Sequence, residues 1–64
     1  MSKNDYRVFF AKCKSYLKLS TFCKMCDIKL SNVTMFVNGY DSALTDYKLN
    51  KLYMCITDTL NKIA

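Results

Sequence analysis

Apolar side chains recur along this chain at intervals of three and four, and polar punctuation divides them into four stretches. In the first, Tyr6, Phe9, Phe10, Cys13, Tyr16 and Leu17 lie on one arc, which predicts a helix over 4–16. Ser2 followed by Asp5 is the pattern of an N-terminal cap, with the carboxylate where the helix dipole favours it. In the second, Phe22, Cys23 and Cys26 predict a short helix over 20–26, beginning near Ser20, with Ile28 plugging the turn that follows. The third carries Val33, Phe36 and Val37 between Ser31, a favourable N-cap, and Gly39, placed where a helix needs a left-handed terminating residue. That predicts a helix over 31–38. The fourth is a stripe of Leu49, Leu52, Tyr53, Ile56, Leu60 and Ile63, capped by Thr45 with Asp46 in its first turn, and predicts a helix over 45–63.

Four apolar faces with no proline and a single glycine favour an all-α bundle, since a sheet would need more turn residues. Sixty-four residues allow one domain, 1–64, and a chain of that size buries only about 60% of its unfolded surface. Its expected core is Phe9, Phe22, Cys23, Val33, Phe36, Leu49, Leu52 and Ile56. No linker, repeat or low-complexity segment interrupts the chain, and the longest loop is 40–44.

The central stretch LSTFCKMCDIKLSNVTMFVNG adds a more specific pattern. Two helices that cross steeply through a short turn need a small side chain where their backbones approach and bulkier ones around it. Cys23 is the small residue, and Phe22, Cys26, Ile28, Val33 and Phe36 surround it in sequence order. From about Leu17 to Leu49, including the VNG ending at Gly39, the chain resembles the Cro-like, or XRE, family of phage-repressor helix-turn-helix domains. It departs from that family at Asp27, where glycine is usual, and at Leu19 and Leu30, where glutamine is frequent. Aspartate tolerates the left-handed conformation that such a turn requires. The resemblance implies a small four-helix, lambda-repressor-like domain.

Charge and chemistry point the same way. Ten Lys and Arg against five Asp give a net charge of +5, which suits an anionic partner such as nucleic acid. Histidine is absent, the acidic residues are aspartates scattered at caps and turns, and no Gly-rich phosphate loop is present, so an enzyme is not expected. Four cysteines raise the question of metal. Only Cys23 and Cys26 are closely spaced, whereas a structural zinc site needs two such pairs, so Cys13, Cys23, Cys26 and Cys55 read as small core hydrophobes. Neither a metal, a disulfide nor a cofactor is expected. MSKNDYRVFF lacks the apolar run of a signal peptide and no segment is long enough to span a membrane, so the expected location is the cytoplasm.

The resemblance further implies a DNA-binding regulator, a repressor of a phage or mobile element, whose third helix enters the major groove of double-stranded DNA. Carried over by position, Leu30, Ser31, Asn32 and Met35 face the bases, while Lys29 and Asn38 approach phosphates. Asn32 has the chemistry for paired bonds to adenine, and Leu30 and Met35 for contact with thymine methyls. Phosphate affinity would come from Lys18, Lys24 and Lys29, because 32–38 holds no Lys or Arg. Asp41 places a negative charge near the expected path of the DNA backbone, and Arg7 with Lys14 suggests a basic edge on the first helix. The alternative is a helical module or inhibitor that binds a host protein, for which Leu30, Met35, Tyr40 and Tyr47 would suit an interface. Finally, Tyr47, Met54 and Asn61 stand seven residues apart on the last helix, a spacing that fits a homodimer interface.

Overall fold

The computed structural model describes residues 2–63, with the side chain of residue 63 outside the description. Those residues form four α-helices and no strand: α1 (Lys3–Tyr16), α2 (Leu19–Cys26), α3 (Leu30–Val37) and α4 (Asp46–Ile63), with a 3-10 turn at Asp41–Ala43. Each helix lies within one residue of the stretch that its apolar spacing predicts. Among the described residues no helix is long and apolar enough to cross a membrane.

Local chemistry sets the outer helix ends. The Ser2 hydroxyl accepts the Asp5 N–H at 3.3 Å and the Asp5 carboxylate accepts the Ser2 N–H at 2.9 Å, so α1 opens on a reciprocal cap. Those bonds hold the Asp5 carboxyl below its ordinary pKa. Thr45 caps α4 by accepting the Lys48 N–H at 3.3 Å.

The inner helices are different. At 8 residues each, α2 and α3 are too short to persist alone, and packing holds them. α2 lies chiefly on α4, and α3 on α1 and the 3-10 turn. Both end through the same pair of backbone bonds. After α2, Asp27 adopts φ 57° and ψ 46°, its N–H reaching Lys24 O while the Ile28 N–H reaches Cys23 O. After α3, Gly39 adopts φ 113°, with its N–H on Phe36 O and the Tyr40 N–H on Met35 O. Aspartate therefore fills the left-handed position after α2 as the sequence suggests.

Ser31 does not cap α3. The turn is shorter than that role requires: Ile28 is buried directly after Asp27, Lys29 is extended, and the helix begins at Leu30. Ser31 is consequently the second helical residue. Lys29 occupies the N-cap position and supplies no side-chain cap.

The core gathers Phe10, Val33, Phe36, Leu44, Leu49, Leu52 and Ile56, all nearly inaccessible, with Cys23 between α2 and its neighbours. Phe10 rather than Phe9 takes the central place on α1, its ring 6.3 Å from Phe36, whereas Phe9 is half-buried 4.8 Å from Tyr53. Leu44, in the loop, is as buried as Cys23 in α2. Tyr16, expected on the core face, is 85% exposed. It ends α1 at the trailing edge of the arc, where, among the described residues, Leu60 of α4 lines an apolar hollow with it. Leu60 is itself exposed, and the Ile63 side chain falls outside the described residues.

Candidate functional site

α3 presents an uncharged outer face between two groups of lysines. Val33 and Phe36 point into the core, so Ser31, Met35 and Asn38, all exposed, point away from it. On one flank, Leu30 and Thr34 border a hollow of about 180 Å³ whose rim carries Lys14 and Lys18 and whose floor is Leu19, Val33 and Val37. On the other flank, Asn32 borders a wider hollow of about 630 Å³ with Lys24, Lys29 and Lys48 around it and Asp27 at its edge.

Local structure explains each placement. Lys18 precedes the first turn of α2, and Lys14 stands in the last turn of α1, so the sharp passage between the helices brings them together. Lys24 is in the last turn of α2 and Lys29 at the start of α3, joined by the tight turn at Asp27. Lys48 arrives from the first turn of α4, which Thr45 caps.

The sequence-derived residues are thus divided between the outer face of α3 and the two hollows that flank it. Leu30 and Asn32 open onto opposite hollows, and Asn32 is half-buried while Ser31, Met35 and Asn38 stand free. Lys48 was missed in the sequence because no spacing rule links a residue of α4 to the turn between α2 and α3.

Arg7 does not extend a basic edge with Lys14. Its Nε donates to Phe36 O at 2.9 Å, its guanidinium lies 4.8 Å from the Phe36 ring centroid, and an Nη pairs with the Asp41 carboxylate. Lys3 adds a bond to Asp41 O at 3.3 Å. Asp41 therefore has its charge engaged by Arg7, which lessens the conflict that a free carboxylate would create near an anionic partner.

The thiols are packed rather than poised. Burial raises the pKa of Cys13 and Cys23. The Cys26 thiol is pushed up to about 11, first by burial and then by its neighbour Cys55, and it contacts Lys51 O at 3.8 Å. A thiol so shifted stays protonated at neutral pH, whereas the thiolate is the form that attacks electrophiles or binds metal. Among the described residues no group of three His, Cys, Asp or Glu could hold a metal ion.

Tyr47, Met54 and Asn61 are exposed along the side of α4 opposite Leu49, Leu52 and Ile56. No family model, curated protein or solved structure matches the chain.

Proposed function

We propose that α2, the turn at Asp27 and α3 form a helix-turn-helix of the Cro-like type, and that the protein binds double-stranded DNA as a transcriptional regulator, most simply a repressor. The observation that carries this reading is the uncharged outer face of α3 with lysines on both flanks. A major groove about 12 Å wide admits a helix about 10–12 Å across and leaves a phosphate strand on either side. Lys14 and Lys18 would then meet one strand, and Lys24, Lys29 and Lys48 the other. Ser31 and Met35 would face base edges, Asn32 and Leu30 would read from the two sides of the helix, and Asn38 would approach a phosphate.

The second reading, a module that binds a host protein, draws on exposed apolar residues of α3 and of the loop that follows it. Leu30 and Met35 are 43% and 45% exposed, Tyr40 in the loop after α3 is 60% exposed, and Met and Tyr are favoured at protein contacts. One experiment separates the two readings. Affinity for random duplex DNA should fall steeply with salt, with a log–log slope of about −4.5 if five lysines neutralise phosphates. On a selected site, Asn32→Ala should cost about 1–3 kcal/mol and relax preference at one or two base pairs, whereas Lys29→Ala should weaken cognate and random DNA alike. Absence of duplex binding even at low salt rejects DNA recognition and leaves the protein-binding reading.

A further inference from the structure

We propose that Cys55 is a site of modification by small disulfides, and that Cys26 resolves the adduct into a Cys26–Cys55 bond joining the end of α2 to α4. The Cys26 Sγ lies 3.8 Å from Lys51 O. Lys51 stands one helical turn before Cys55 on α4, and a helical side chain leans back over the turn that precedes it. Cys55 is thereby directed toward the carbonyl that Cys26 touches. α2 packs chiefly on α4, and Cys55 lies against the core cluster to which Cys26 belongs.

Access separates the two roles. Cys55 is partly open, whereas Cys13, Cys23 and Cys26 are buried. A reagent from solution therefore meets Cys55 first, and Cys26, 5% exposed, meets only a sulfur delivered to it. Cys26 is also the last residue of α2, beside the left-handed turn at Asp27, where helix ends have most freedom to adjust. Cys23 shares the C-x-x-C spacing with Cys26 but is buried more deeply.

The exchange runs in two steps. The Cys55 thiolate attacks one sulfur of the external disulfide; a mixed disulfide forms, the external S–S bond breaks and one thiolate leaves. The Cys26 thiolate then attacks the Cys55 sulfur, the intramolecular bond forms and the second external thiolate leaves. The two leaving thiolates take up the two protons that the cysteines lose, so the protein is oxidised by two electrons and the external disulfide is reduced to two thiols. Burial, and after it the hydrogen bond and charge of Cys55, push the reduced Cys26 thiol up to about 11, so the reduced pair is quiet at neutral pH. Capping Cys55 removes its share, while the nearby Lys51 ammonium continues to favour the Cys26 thiolate. In a reducing compartment the same exchange runs backward, so the bond records oxidising conditions rather than holding the fold. This inference does not rest on the DNA reading.

Oxidised glutathione added to the folded, reduced chain tests it. Of the four thiols two should be lost and two kept, and the product should be lighter than the reduced chain by two hydrogens. Trypsin places Cys23, Cys26 and Cys55 in separate peptides, 19–24, 25–29 and 52–62, and the map should show 25–29 joined to 52–62. Cys26→Ser should stop at a glutathione adduct on Cys55, and Cys55→Ser should keep its remaining thiols, with circular dichroism verifying that both variants are helical. In urea, where every thiol is open, the pairings should scatter over Cys13 and Cys23 as well. A wild type that keeps all its thiols overturns the proposal. So does one that joins Cys23 to Cys26, stops at the mixed disulfide, or gives the same scatter folded as unfolded, and none of these outcomes depends on a variant.

Discussion

The two ends of α3, little more than two turns apart, are finished in opposite ways. At the C-terminal end its last carbonyls are taken up: Gly39 and Tyr40 return backbone bonds, and Arg7 reaches Phe36 O from α1 while holding Asp41 across the loop. At the N-terminal end the cap position carries a lysine, the first turn has no acidic residue, and no side chain accepts a bond from the leading N–H groups. α1 shows that the chain has the means to cap a helix, through Ser2 and Asp5. One end of α3 is therefore fastened by backbone and side-chain bonds, and the other has no side chain on its leading N–H groups or its positive dipole end.

The sharpest way to break the fastened end is to remove what it closes on. Phe36→Ala deletes a fully buried ring that Phe10 meets edge-on and Arg7 covers, and should cost about 3–5 kcal/mol. That is most of the stability of a domain this small, so urea denaturation should show a midpoint shifted close to zero denaturant. A midpoint close to wild type would mean that α3 does not depend on its C-terminal anchor.

A smaller effect isolates the arginine. Arg7→Gln should cost about 1.5–3 kcal/mol, chiefly through the bond to Phe36 O. Asp41 is more than half exposed, so its ion pair is worth less than about 1 kcal/mol, and Asp41→Asn should be the milder change. Equal losses in the two variants would place the anchor at the loop rather than at the helix end.

The smallest expected effect has the opposite sign. Lys29→Asp supplies a capping carboxylate at the open end of α3 and should stabilise the fold by about 0.5–1 kcal/mol. A thermal scan should register a rise of a few degrees, while duplex affinity under the proposed function falls. A variant that gains stability and keeps its affinity would remove Lys29 from the interface.

Sequence made one of these ends much plainer than the other. Gly39 announces its turn because a single glycine after a helical stripe has few other uses, and Ser2 with Asp5, and Thr45, are caps recognisable without tertiary information. Ser31 misleads for the converse reason. It has cap chemistry, but burial of Ile28 directly after Asp27 shortens the turn and starts the helix ahead of it. Periodicity marks the face of α1 yet cannot rank Phe9 against Phe10, because which ring lies central depends on where α3 and α4 arrive. Leu44 was invisible for lack of any period in a loop. The Arg7 to Asp41 clasp and the approach of Lys48 join residues distant in sequence, and no local pattern carries that information.

The packed cysteines give the molecule a set of built-in clocks. Cys13 sits in α1, Cys23 and Cys26 in α2, and all three are shielded, whereas Cys55 on α4 is partly open. An alkylating reagent can reach a shielded sulfur only while the covering helices are parted, so its rate of modification reports how often that part of the core opens. Comparing Cys13 with Cys23 would reveal whether α1 lifts away alone or only when the whole domain comes apart. The chain carries the labels for that measurement without any being introduced.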